Sequence, residues 1–119
     1  MPKILLAEDD AIMVSLLKTL LKMEGYQVVA VDADADVPAA ARAEQPDILL
    51  LDVYLSRQDG LSILDTLRAN AETKNLNVVM TSGMNLREEC FKRGATDFLL
   101  KPYMPDDLVN TLKKAMNPS

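Results

Sequence analysis

Two short segments, Ile4-Leu5-Leu6-Ala7 and Ile48-Leu49-Leu50-Leu51, are apolar at every position and end abruptly in carboxylates. Glu8, Asp9 and Asp10 follow the first, and Asp52 follows the second. A strand with one wet face alternates apolar and polar residues. A run without alternation suits a strand buried on both faces, as in a parallel sheet covered by helices. Residues 27–32, 77–82 and 98–100 are further strand candidates.

Helical patterns fill the intervals. Ile12, Leu16, Leu17, Leu20 and Leu21 form an apolar stripe, with Asp10 placed to cap its start and Gly25 to stop it. Pro38 is placed to open an Ala-rich helix, because proline is tolerated at the first helical position. Residues 61–68 are apolar at Leu61, Ile63, Leu64 and Leu67, and residues 85–93 read as a short helix stopped by Gly94. The last helix begins near Pro105 with a stripe of Leu108, Leu112, Ala115 and Met116. Asp106 and Asp107 in its first turn, and Lys113 and Lys114 in its last, complement the helix dipole. This βα order, five times over, predicts an α/β fold: a parallel sheet with right-handed crossovers and helices on both faces. With no repeat, low-complexity tract or linker, residues 1–119 read as a single domain that ends at Asn117-Pro118-Ser119.

The chain has 119 residues, 49% of them apolar, enough to bury one core. Its net charge of −5, without a basic run, argues against direct nucleic-acid binding and against a membrane-surface role. The single cysteine, Cys90, forbids an internal disulfide and reads as a helix residue with no catalytic role; the absence of histidine excludes His-dependent triads and His-ligated zinc. The apolar stretch before Glu8 is too short for a signal peptide or a membrane span, so a cytoplasmic location is expected. The methionines read as filler; Met13, Met84 and Met104 fall near the rim of the site described next and are assigned no function.

In an open α/β sheet, ligands bind beyond the carboxyl ends of the strands. The predicted strands deliver Glu8 and Asp9, Asp52, Ser82, and Lys101 to that edge. Each has an ordinary reading alone, as a cap, a turn residue or a solvated lysine. Their shared edge raises the functional reading. Clustered carboxylates either protonate or hold a cation, and an all-oxygen set suits Mg²⁺ (or Mn²⁺) better than zinc. With Lys101 for charge and Ser82 as a donor, the set suits a phosphoryl group, and Asp52 is placed to act as nucleophile.

The motifs Ile4-Leu5-Leu6-Ala7-Glu8-Asp9-Asp10, Asp47-Ile48-Leu49-Leu50-Leu51-Asp52, Asp59-Gly60, Thr81-Ser82-Gly83 and Gly94-Ala95-Thr96-Asp97-Phe98-Leu99-Leu100-Lys101-Pro102 resemble, in order and spacing, the CheY-like receiver domain of two-component response regulators. The resemblance spans nearly the whole chain. It implies a doubly wound, five-stranded, flavodoxin-like (βα)5 sheet of strand order 2-1-3-4-5. It implies that Asp52 is the phosphoacceptor, that Asp9 ligates Mg²⁺ directly with Glu8 acting through water, and that the Tyr54 backbone carbonyl is a further ligand. It makes Ser82 the switch hydroxyl, Phe98 the aromatic that turns inward on activation, and Lys101 the partner of the phosphoryl oxygens. It further implies a cis bond between Lys101 and Pro102. The implied partner is a sensor histidine kinase or phosphotransfer protein; homodimerisation on activation is common in the family. The output surface is the fourth helix, fifth strand and fifth helix. Such a domain catalyses only its own phosphorylation and dephosphorylation and is not otherwise an enzyme.

The chain departs from the pattern. Ser56 replaces the usual proline, which is expected to loosen the loop after Asp52, and Ser82 replaces the commoner threonine. The stretch from Ser82 to Lys101 is about one helical turn short, which should shorten the fourth helix or its entry loop. Tyr54 and Met84, two residues beyond Asp52 and Ser82, are bulky and non-acidic, which predicts slow loss of the phosphoryl group. A competing reading, motivated by the fourth-helix region and Ser56, is a pseudo-receiver that serves as a phosphorylation-independent interaction module. A Mg²⁺-dependent phosphohydrolase is disfavoured, because its usual second aspartate is replaced by Tyr54.

Overall fold

The computed structural model describes residues 1–32 and 34–117, so the expected end at Asn117-Pro118-Ser119 lies partly outside the described residues. Five parallel strands form the main sheet: β1 (Lys3–Ala7), β2 (Gln27–Val31), β3 (Ile48–Asp52), β6 (Asn77–Ser82) and β7 (Asp97–Leu100), in the order β2-β1-β3-β6-β7. Counted along the main sheet alone, that order is the expected 2-1-3-4-5. A two-stranded antiparallel ribbon, β4 (Tyr54–Leu55) with β5 (Gln58–Asp59), follows β3. The helices are α1 (Ala11–Met23), α2 (Val37–Glu44), α3 (Gly60–Ala69), α4 (Arg87–Lys92) and α5 (Pro105–Met116).

The apolar runs owe their lack of alternation to a core on each face. Leu5, Ala7, Leu49, Leu51, Val78, Met80 and Phe98 point into one cluster with Val37 and Ala41 of α2, Ile63, Leu64 and Leu67 of α3, and Cys90 of α4. Ile4, Leu6, Ile48, Leu50, Val79 and Leu99 point into the other, with Leu17 and Leu21 of α1 and Leu108, Leu112 and Ala115 of α5. Successive residues of one strand therefore serve opposite layers, and all must be apolar.

Asp10 caps α1 as expected, its Oδ1 accepting the Ile12 and Met13 N–H groups at 3.0 and 3.2 Å. The stripe on α1 is corrected. Leu17 and Leu21 are buried, but Ile12 is 75% and Leu16 62% exposed. One helix face cannot hold all five positions against the sheet, and Val14 and Met13 pack inward instead. Pro38 is the second helical residue of α2, after Val37, with Asp36 as the cap. The loop after Asp52 closes as a hairpin with Ser56 and Arg57 at its turn, tied by the Tyr54–Asp59 and Leu55–Gln58 pairs. Gln58 Nε2 also donates to the Ala35 carbonyl at 2.8 Å. The fourth helix is short, six residues, and its cap residue Leu86 supplies no side-chain bond. Among the described residues, no helix is long and apolar enough to cross a membrane.

Candidate functional site

Four strand ends converge on one acidic pocket. β1 runs out into Glu8 and Asp9, β3 ends on Asp52, β6 ends on Ser82, and Lys101 follows β7. The register holds them together: Ala7 lies beside Leu51, Asp52 beside Thr81, and Ser82 beside Leu100. One carboxylate oxygen from each of Glu8, Asp9 and Asp52 lies within 4.8 Å of the others; Glu8 and Asp52 are buried and Asp9 is exposed.

Lys101 is the pocket's cation. Its Nζ donates to Asp52 Oδ2 at 2.6 Å and to Glu8 Oε1 at 3.1 Å. Burial alone would lower its pKa, but hydrogen bonds and charge from Asp52 and Glu8 outweigh burial and hold it raised. Glu8 bears the cost of crowding. Burial first, then the neighbouring Asp52, pushes its carboxyl up to about 7, while Lys101 pulls the other way. One ammonium among three carboxylates leaves the pocket short of positive charge. The donor set is oxygen only, which fits a hard divalent cation such as Mg²⁺.

The Asp52 carboxylate is held on both sides. The Tyr54 N–H donates to Asp52 Oδ1 at 3.2 Å, while Lys101 takes Oδ2. Behind it, the Gly60 N–H donates to the Val53 carbonyl at 2.7 Å. A Cβ on Gly60 would run into the Asp52 carbonyl oxygen and lie 2.8 Å from Val53 Cα, so only glycine lets α3 approach so closely. The Asp59-Gly60 pair thereby has a physical role: Asp59 caps α3 through the Leu61 N–H at 3.0 Å, and Gly60 clears the strand end.

Ser82 is fully buried, and its Oγ accepts the Met84 N–H at 3.0 Å. Its carbonyl accepts the Lys101 N–H at 2.8 Å, and the Lys101–Pro102 bond is cis. Phe98 is 3% exposed and already packed in the core, so the ring stands inward here. Its carbonyl accepts from Arg87 Nη1 at 3.2 Å, and the same guanidinium pairs with Asp97 at 3.5 Å. Arg87 went unnoticed in sequence, because a first-turn arginine carries no signal of the strand it will reach. Tyr103 was also unnoticed. It lines a small void beneath the cluster with Leu17, Leu50 and Thr81, and burial raises its pKa. The Tyr54 hydroxyl reaches Met84 Sδ at 3.6 Å, a contact signalled only by both residues lying two beyond a site residue.

Comparison with known proteins is consistent with this geometry. A family model described as the response regulator receiver domain matches residues 4–113. The transcriptional regulatory protein CpxR of Escherichia coli is 37% identical over 122 residues, covering 100% of this chain and 51% of CpxR. The chain thus spans about half the length of the CpxR relatives it matches. The chemotaxis protein CheY of Listeria monocytogenes is 31% identical, covering 97% of this chain and 98% of that protein. The receiver domain of a Pseudomonas aeruginosa sensor histidine kinase, solved with a magnesium ion coordinated in its active-site cleft, superposes with a TM-score of 0.85. It is 26% identical, and each chain covers 97% of the other. With strand order, pocket and family match in agreement, this chain belongs to the response regulator receiver domain family.

Proposed function

We propose that the domain is a phosphorylation-driven switch in which Asp52 accepts a phosphoryl group from a sensor histidine kinase or a phosphotransfer protein. The observation that carries this reading is the position of Asp52, buried, 2.6 Å from Lys101 and within 4.8 Å of two more carboxylates. Asp9, Asp52 and the Tyr54 carbonyl would hold Mg²⁺ (or Mn²⁺), with Glu8 acting through water. The bound ion would offset charge on the phosphoryl oxygens. The magnesium described for the Pseudomonas aeruginosa receiver domain supports that assignment.

A carboxylate oxygen of Asp52 attacks phosphorus in line, the bond from phosphorus to the donor nitrogen breaks, and an acyl phosphate forms. Lys101, already at Asp52, needs only a small shift to donate to the transferred group. The Ser82 hydroxyl can turn its proton to a phosphoryl oxygen while its Oγ still accepts from the Met84 N–H. The Ser82–Met84 loop then moves and carries α4 with it, through Arg87 to β7 and the Phe98 carbonyl. The α4–β7–α5 surface is thereby changed for an effector or a second copy. Driving a two-state element from mostly off to mostly on takes roughly 5 kcal/mol, which a few charge-assisted hydrogen bonds can supply. The chemistry is confined to the domain's own aspartate, so it is not an enzyme towards other substrates. Ile12 and Leu16 stand exposed on α1, directly after Asp9, and offer the donor protein an apolar foothold beside the pocket.

Intact mass after incubation with Mg²⁺ and acetyl phosphate tests the reading. One phosphoryl adduct is expected on the wild type and none on Asp52→Asn or without metal. A wild type that gains no adduct, either from acetyl phosphate or from a phosphorylated kinase domain, leaves the phosphorylation-independent interaction module as the better account.

A further inference from the structure

Three hydrogen bonds form a strap from Asp52 to Ser82. The Tyr54 N–H donates to Asp52 Oδ1 at 3.2 Å, the Tyr54 hydroxyl donates to Met84 Sδ at 3.6 Å, and the Met84 N–H donates to Ser82 Oγ at 3.0 Å. The strap therefore joins the end of β3 to the end of β6 through two side chains. Both stand largely in solvent, Tyr54 at 57% and Met84 at 59% exposure, so burial does not hold them together. The middle joint is the weak one, because a thioether sulfur is a poor hydrogen-bond acceptor. Sulfur is also the one atom of the strap that mild oxidants attack.

We propose that Met84 is an oxidation site that sets how firmly the strap closes over Asp52; the proposal rests on the phosphoacceptor reading. The oxidant class is a peroxide. A sulfur lone pair attacks one peroxide oxygen, the O–O bond breaks, an S=O bond forms, and after proton transfer water leaves. Met84 is oxidised by two electrons and the peroxide is reduced by two. The sulfoxide oxygen is a far stronger acceptor than the thioether, and the two exposed side chains have room to shift so that it takes the Tyr54 hydroxyl proton. The closed strap then hinders both the donor's approach to Asp52 and the approach of water to the acyl phosphate. The state of the switch is kept for longer, loaded or empty, under oxidising conditions.

The test measures loading by acetyl phosphate with Mg²⁺, and later loss of the adduct, by intact mass before and after hydrogen peroxide treatment. Peptide mapping reports which methionines carry oxygen, since Met23 and Met104 are exposed as well. Oxidised wild type is expected to load and lose phosphoryl roughly three- to tenfold more slowly, the worth of one strengthened hydrogen bond. Met84→Leu keeps the bulk without the sulfur, and Tyr54→Phe keeps the ring without the donor; neither should respond to peroxide. An oxidised wild type whose rates are unchanged or faster overturns the proposal, as does an equal slowing in Met84→Leu. No adduct on any untreated protein overturns the phosphoacceptor reading instead, and this one with it.

Discussion

The body of the central strand and its last residue obey opposite rules. Ile48 to Leu51 are buried between two helical layers and pack into the two apolar clusters, whereas Asp52, one position on, meets an ammonium and two carboxylates. The body contributes stability through area removed from water. The end spends some of it, since burial and a like charge raise the Glu8 pKa. The pocket is thus a cost that the strand bodies cover, and substitutions at the two places should fail in different ways.

The largest effect is expected at the end. Asp52→Asn should reduce phosphoryl incorporation below detection while leaving the urea unfolding free energy within about 1 kcal/mol of wild type, because Lys101 keeps Glu8 as a partner. A large loss of stability in this variant would mean that the pocket supports the fold. In the strand body, Leu49→Ala removes a fully buried side chain and should cost about 3 kcal/mol in unfolding free energy. The folded fraction should still phosphorylate at the wild-type rate, which single-turnover labelling can check. Gly60→Ala joins the two regions. Its Cβ collides with the Asp52 and Val53 backbone, so it should lose about 2 kcal/mol and also slow phosphorylation. A variant that loses stability alone would separate the strand end from its support.

Smaller effects follow from charge. In the metal-free protein Glu8 has its pKa raised from 4.5 to about 7. The folded state therefore binds more protons than the unfolded chain between those values. This contribution to stability is complete below about pH 4.5 and is lost as pH rises through about 7. Protons should compete with the cation in the same range, so Mg²⁺ affinity should fall as pH drops below about 7. Urea unfolding of the metal-free protein and isothermal Mg²⁺ titration at several pH values, with Glu8→Gln as reference, measure the two trends; flat wild-type profiles would sink the account. The smallest effect is Arg87→Ala, whose partly exposed pair with Asp97 should be worth roughly 0.5 kcal/mol. Effector or self-association measurements on this variant would show whether the α4–β7 tie restrains the proposed switch.

What was legible in the sequence was local or periodic. The unbroken apolar runs announced a sheet covered on both faces, Asp10 and Gly25 marked the limits of α1, and the carboxylates, Ser82 and Lys101 stood where strand ends had to be. The rule that parallel strands present ligands at their carboxyl ends was enough to gather residues as distant as Glu8 and Lys101. Tertiary structure decided the rest. A helix stripe read from periodicity cannot say which arc the sheet will cover, so Ile12 and Leu16 were assigned inward and stand outward. A missing proline cannot reveal that strand pairing and a Gln58 bond to Ala35 will close the Ser56 hairpin. The inward Phe98 ring, the reach of Arg87 to its carbonyl and the Tyr54–Met84 joint depend on side chains brought together by sheet register. Composition and spacing fixed which groups reach the sheet edge; only the packed helices and the register fixed which of them touch.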